Sequence, residues 1–98
     1  MNVFFQPSPR KNKAYRATFV RLRDGERSYT DFGSAEHQNF TEHHDEERKA
    51  RFLNRFRSLI EKHKHNPQAP TTLSTYILWS EPNIQDAITK YKKHFGLK

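Results

Sequence analysis

The fold is decided by residues 15–32, which read YRATFVRLRDGERSYTDF. Two runs rich in β-branched and aromatic residues, 15–22 and 27–32, flank the tetrapeptide RDGE at 23–26. An Asp-Gly pair between two such runs is a strong signal for a β-hairpin, because both central residues of its tight turn need a positive φ. The sequence therefore predicts an antiparallel hairpin closed by the Asp-Gly pair.

The predicted hairpin has apolar side chains on both faces. Counting outward from the two-residue turn places Ala17 opposite Phe32. A hairpin is not stable alone, so we expect one face to pack on helices and the other to contact more chain or a partner. The first face carries Ala17, Phe19 and Phe32, and the second carries Val20, Leu22 and Tyr29.

Three helices are predicted after the hairpin. The first runs from Asp45, its N-cap, to His63, because its apolar residues recur on one arc. Thr71 or Thr72 begins a short second helix, and Ser80 opens a third that ends at Gly96. The predicted core consists of Phe52, Phe56, Ile60, Trp79, Ile84 and Ile88. The sequence thus predicts an α+β fold, a single domain of residues 14–98 in which the N-terminal hairpin packs on three helices.

Residues 1–13 are predicted to form a basic extended arm outside this domain. Pro7 and Pro9 disfavour helix in the residues before them, and the segment contains three basic residues and no acid. One alternative is an arm that a partner holds, and the other is a disordered, solubilising tail. The basic residues of the arm are Arg10, Lys11 and Lys13.

Acidic and basic residues are segregated along the chain. The 98 residues contain 18 Lys and Arg against 11 Asp and Glu, a net charge of +7. Residues 34–47 hold five acids and no Lys or Arg, whereas residues 48–65 hold seven bases and one acid. Such a balance favours phosphate-rich or acidic partners. No run approaches the roughly 20 apolar residues of a membrane span, so none is expected.

The best candidate for a binding surface is a basic stripe on the first predicted helix. Its four cations fall within an arc of about 60° and extend over roughly 21 Å. They are Arg48, Arg51, Arg55 and Lys62. Such a row suits a phosphate backbone or an acidic groove on another protein. The alternative is an ordinary solvated helix face.

Residues 76–79, YILW, place four large apolar side chains in succession, more than one helix face can bury. In one interpretation Tyr76, Ile77 and Trp79 fill the core and Leu78 is partly exposed. In the other, Leu78 or Trp79 is an anchor at a protein interface, together with Tyr29 on the free hairpin face.

No pattern in the sequence indicates catalysis. His43-His44 precedes Asp45, and His63 and His65 lie about 20 residues further on, near 30 Å away along one helix, so the two pairs cannot share a metal ion. Glycines at 25, 33 and 96 form no phosphate loop, and no serine or threonine has a general base and an orienting residue. We expect no catalytic residue, metal, cofactor or small-molecule substrate.

An ordered series of short motifs resembles a family of small basic proteins, mostly of unknown function, encoded by large double-stranded DNA viruses such as those of algae and protists. The motifs are FG at 32–33, NFTEHHDEERK at 39–49, FL-x-R at 52–55 and YILW-x-x-PNI-x-x-AI at 76–88. The family pattern has an acid where this chain has Asn39 and a histidine where it has Phe56. No metal or acid-base role is therefore carried over to these two positions.

The resemblance implies a viral protein of the virion. We expect a non-enzymatic structural component, a minor capsid or capsid-cementing protein that binds other capsid proteins, located in the virion and in the host cytoplasm during assembly. The alternative is a protein that binds nucleic acid without sequence specificity in genome packaging or replication, which the net charge of +7 supports equally.

Overall fold

The computed structural model describes residues 1–98 and has the predicted α+β fold. An antiparallel sheet of three strands, β1 (Asn2–Pro7), β2 (Lys13–Val20) and β3 (Arg27–Ser34), has the order β1-β2-β3. Five α-helices and one π-helical turn follow: α1 (Phe40–His43), α2 (Glu46–Arg55), α3 (Arg57–His63), α4 (Pro70–Leu73), the π turn (Ser74–Leu78) and α5 (Ile84–Phe95). None of the helices has the length and apolar character needed to cross a membrane.

The predicted N-terminal arm is instead the first strand of the sheet. β1 pairs with β2 over its whole length, and Val3, opposite Phe19, is completely buried. The alternation of Val3 and Phe5 on one face explains this, since both side chains point toward the core. The domain therefore includes β1, and Arg10 and Lys11 lie in the turn between β1 and β2.

The β2-β3 hairpin forms with a register two residues away from the predicted one. Phe32 pairs with Tyr15 rather than with Ala17. The connection is a loop of four residues, 22–25, closed by a hydrogen bond from the backbone N–H of Arg21. Only its glycine has a positive φ, 71°, so the two-residue turn that needs two such residues is not formed. A shift of two keeps the paired side chains on their predicted faces, whereas Leu22, predicted on the second face, lies in the loop.

The core lies between the inner face of the sheet, the π turn and α5. Its completely buried side chains are Val3, Ala17, Phe19, Phe32, Leu73, Ile77, Leu78 and Tyr91. The predicted core is therefore wrong for Phe52, Phe56 and Ile60, which are only half-buried and outside this cluster, while Trp79, Ile84 and Ile88 pack at its margin. Helix α2 buries no side chain completely, because the π turn already covers the sheet.

The predicted first helix is divided at Phe56, whose φ of −103° and ψ of 13° separate α2 from α3. Asp45 is its N-cap as predicted, since the carboxylate accepts hydrogen bonds from the N–H groups of Glu47 and Arg48. The short helix α1 was not predicted. Asn39 and Glu42 form a reciprocal capping box there, a sequence signal that does precede a helix.

The later helices begin at other residues than predicted. Helix α4 starts at Pro70, a favourable first position, and the hydroxyl of Thr72 donates to the carbonyl of His63 instead of capping the helix. Asn83, and not Ser80, caps α5 by accepting hydrogen bonds from two backbone N–H groups. Gly96 ends α5 in the left-handed conformation, as predicted.

On the outer face of the sheet, Arg16 and Asp31 form a two-point ion pair with N–O distances of 2.9 and 3.0 Å. Ser8 also donates to Asp31, which attaches the β1-β2 turn to β3. Hydrogen bonding to Arg16 is the main reason why the pKa of the Asp31 carboxyl is below its ordinary value. The ionised form of Asp31 is thus stabilised by folding.

Stability is expected to decrease below about pH 4, the ordinary range of an aspartate pKa. Because folding lowers the pKa of Asp31, its contribution to stability is complete above that range and is lost as pH decreases through the pKa of the folded state. Urea unfolding of the wild type and of Asp31→Asn measures this. The variant is expected to be less stable at pH 7, and the difference is expected to shrink as pH falls. Parallel pH profiles of the two proteins would contradict the role of Asp31.

Candidate functional site

An open cleft of about 880 Å³ lies between the end of β3 with the loop after it, helix α2, and α4 with the π turn. Four cationic side chains line it, and none of its 18 lining residues is Asp or Glu. The cations are Lys13, Arg48, Arg51 and Arg55. A concave surface with charges of one sign concentrates positive potential and attracts anions.

The charge of these cations is hardly compensated within the chain. Arg51 approaches Glu47 at 4.0 Å, but both side chains are largely exposed, and such a pair contributes little. Lys13, Arg48 and Arg55 have no carboxylate partner within ion-pair distance. A ligand with several negative charges would therefore meet free donors.

The structure brings together part of the predicted basic surface. Lys13, predicted to lie in the arm, joins three members of the predicted stripe because β2 carries it to the side of the cleft. Lys62 lies on α3 beyond the break at Phe56, is exposed and does not line the cleft. Arg10 and Lys11 are exposed in the β1-β2 turn and also lie outside the cleft lining.

A row of aromatic groups runs along the cleft beside these cations. The rings of Trp79 and Phe52 are stacked, with centroids 4.4 Å apart and planes 3° from parallel. Phe56 follows at 4.9 Å from Phe52, and the guanidinium carbon of Arg55 lies 5.4 Å from the centre of the Phe56 ring. His43 also packs against Trp79, with ring centroids 5.3 Å apart, but does not itself line the cleft. We call the four rings, His43, Trp79, Phe52 and Phe56, the aromatic row.

His43 has a structural role at the inner end of the aromatic row. Its Nδ1 accepts a hydrogen bond from the backbone N–H of Asp45, and its buried Nε2 has no hydrogen-bond partner. Burial, with a smaller effect of Arg48, lowers the pKa of His43, so the neutral ring is favoured. The neutral ring thus acts as a hydrogen-bond acceptor at the start of α2. No three His, Cys, Asp or Glu side chains are placed to hold a metal ion.

One of the three predicted interface anchors does not have the exposure that an anchor needs. Leu78 is only 1% exposed and packs in the core, so its assignment as an anchor is wrong. The π turn is the physical reason, because it brings Ile77 and Leu78 to the sheet together. Trp79 is half-buried in the cleft, and only Tyr29, with its neighbour Phe4 across β2, is well exposed on the outer face of the sheet.

Sequence reasoning missed Phe52 and Phe56 as cleft residues, since their helical spacing is also that of core positions. The available signal was that Phe52 directly follows Arg51 and Phe56 directly follows Arg55. An aromatic arc bordered by cations and by few aliphatic residues suits a polar cleft as well as a core.

The sequence comparisons place the chain in a family. The family of unknown function DUF5754 matches residues 3–56, which is 54 of the 98 residues. The chain belongs to this family. The matched segment carries every cation of the cleft and both phenylalanines of the aromatic row, whereas the wall formed by α4 and the π turn follows it. No curated protein and no solved structure matches the chain significantly.

Proposed function

We propose that the chain is a non-enzymatic protein whose cleft binds the phosphate backbone of nucleic acid without sequence preference. The observation that carries the proposal is the set of four cations in one cleft that contains no acid. Phosphate contacts supply most of the affinity of such proteins, and each contact releases a condensed counterion. Arginine suits this task because its planar guanidinium can bind two phosphate oxygens at once.

The local structure supports a fixed rather than a diffuse arrangement of this charge. Arg48, Arg51 and Arg55 are carried by one helix whose start is capped by Asp45, so their spacing is set by the helix. Lys49 is engaged elsewhere, since its ammonium group donates to the carbonyl of Ser80 at 2.8 Å. The basic residues of α2 therefore divide into one structural lysine and three arginines free to bind.

The test is a salt titration with DNA of arbitrary sequence. Replacing Arg51 and Arg55 by Glu removes two phosphate contacts, so the slope of log affinity against log salt is expected to become flatter by about two units, with affinity at 0.1 M salt reduced by about 60-fold or more. Fluorescence anisotropy of a labelled oligonucleotide over a series of salt concentrations measures both quantities.

A matched control variant distinguishes binding through the cleft from binding through the total charge of the protein. Arg23→Glu with Lys93→Glu makes the same change in net charge, from +7 to +3, since each replacement changes it by two. Both residues are exposed and lie outside the cleft. The control is expected to retain most of the affinity and nearly the wild-type slope. Equal loss in the two double variants would show that overall charge, and not the cleft, binds DNA.

A second candidate function is favoured by the outer face of the sheet. Phe4 and Tyr29 are 57% and 54% exposed there, on either side of Thr18. Exposed aromatic groups on a sheet suit a protein partner, and the viral resemblance suggests another capsid protein. Weak DNA binding at physiological salt, with the chain found in the shell fraction of virions, would favour this candidate. Its presence in the genome-containing core would favour the first.

A further inference from the structure

We infer that the cleft takes single-stranded nucleic acid, with an unpaired base stacked on the Phe56 end of the aromatic row. This inference rests on the proposed function and goes further, because it assigns a role to the bases as well as to the phosphates. Protein sites for single strands combine a cationic groove with aromatic side chains on which bases stack. The cleft has both components on the same helix.

The two ends of the aromatic row differ in what they offer to a ligand. At the inner end, Trp79 lies between Phe52 and His43, whose Nε2 is buried. At the outer end, Phe56 lines the cleft and is only half-buried, and the guanidinium carbon of the exposed Arg55 lies over its ring, 5.4 Å from the ring centre. A base at this end stacks on the Phe56 ring in place of the exposed Arg55 guanidinium, or on that guanidinium, and its phosphate then lies near the same cation.

The apolar side of α2 and α3 also lacks a complete covering within the chain. Phe52, Phe56 and Ile60 are half-buried, and Leu59 is 44% exposed. This apolar surface is partly exposed and lies beside three arginines. It therefore suits a ligand that has both apolar and anionic groups. A nucleotide strand meets this description, because each base has an apolar face and each linkage one negative charge.

Duplex DNA fits the cleft less well than a single strand does. Its bases are paired and stacked on one another, and only the phosphates are presented to a cleft of this kind. An unpaired strand can turn a base toward Phe56 without breaking pairs. Charge complementarity with a cleft that has no acid is the reason for choosing an anionic polymer over an apolar protein segment.

The decisive experiment compares three ligands of equal charge with the wild-type protein. They are oligothymidylate of about 12 nucleotides, within the usual range of single-strand sites, an abasic oligonucleotide of the same length, and polyglutamate with the same number of charges. We expect oligothymidylate to bind roughly ten- to a hundredfold more tightly than the abasic strand, with the same salt slope. Polyglutamate is expected to bind no better than the abasic strand.

Trp79 supplies a local signal for the same titrations, since it is the one tryptophan of the chain and belongs to the aromatic row. Its emission is expected to change more with oligothymidylate than with the abasic strand at equal saturation. Phe56→Leu keeps an apolar side chain of similar size but removes the ring. It is expected to reduce the preference for oligothymidylate at least fivefold while leaving the salt slope unchanged.

The outcomes distinguish the inference from the proposed function. Equal affinity for oligothymidylate, the abasic strand and polyglutamate would overturn the stacking role while leaving a site that binds by charge. Tighter binding of duplex than of oligothymidylate would also overturn the inference, with phosphate binding retained. Failure of all nucleic acids to bind in low salt would overturn both. Tighter binding of polyglutamate than of any oligonucleotide would assign the cleft to an acidic protein segment.

Discussion

Tyr91→Ala is expected to lower the free energy of unfolding by about 3 to 5 kcal/mol, a large part of the stability of a domain of this size. Tyr91 is completely buried and is the largest side chain of the core. Its ring packs against Phe5 and Phe95 at centroid distances of 5.8 and 5.1 Å, so truncation leaves a cavity where β1 meets α5. Urea or thermal unfolding measures the loss.

The hydroxyl of Tyr91 makes a smaller and separable contribution. It donates a hydrogen bond of 2.6 Å to the carbonyl of Pro67, and burial raises the pKa of Tyr91 well above its ordinary value, so the donor proton is retained. Tyr91→Phe removes only this bond and is expected to cost about 1 kcal/mol. Comparison of the two variants separates ring packing from the hydrogen bond.

Phe56→Ala is the control that distinguishes the observed core from the one predicted from sequence. Phe56 is half-buried at the cleft, so its truncation is expected to cost about 1 to 2 kcal/mol, less than that of Tyr91. A greater loss with Phe56→Ala than with Tyr91→Ala would mean that α2, and not the sheet with α5, holds the principal core.

Much of the fold could be predicted from local signals. The hairpin, the Asp45 N-cap and the Gly96 end are determined by residues close in sequence, and the structure confirms all three. The register was missed because one glycine supports a four-residue loop as readily as the tighter turn. Strand β1 was missed because most of its pairing partners lie more than ten residues away, and proline and charge dominated the local pattern.

The candidate site was less predictable for a related reason. The arginines of α2 could be placed on one helix face from spacing alone, but spacing does not show whether the adjoining aromatic arc points into a core or into a cleft. That choice depends on Ile77 and Leu78, which occupy the sheet through a π turn that no sequence rule predicts. Once they fill that position, Phe52 and Phe56 are displaced to the cleft.

Gly33 lies where the sheet, the core and the cleft meet. Gly33→Ala is expected to lower the free energy of unfolding by about 2 to 5 kcal/mol, the sum of a backbone effect and a packing effect. Its φ of 79° is a conformation that costs an L-residue about 1 to 2 kcal/mol. A Cβ atom there would lie 2.5 Å from Cδ1 of Leu78, a buried side chain, and 3.3 Å from Cβ of Ala14. Overpacking of this kind adds about 1 to 3 kcal/mol.

Two further variants separate the backbone strain from the steric overlap. Gly96 has a similar φ of 64°, but a Cβ atom at this residue would meet no other part of the chain within 4 Å, so Gly96→Ala is expected to show the strain alone, about 1 to 2 kcal/mol. Leu78→Val removes the Cδ1 atom, and in that background Gly33→Ala is expected to cost about 1 to 3 kcal/mol less than in the wild type. Urea unfolding measures the free energies of this double-mutant cycle. If the losses of stability are additive, Leu78 is not the residue that excludes a side chain at position 33. If the losses are not additive, the contact between Leu78 and position 33 is established. This contact holds the π turn against β3, and these two elements form walls of the cleft that contains the cations.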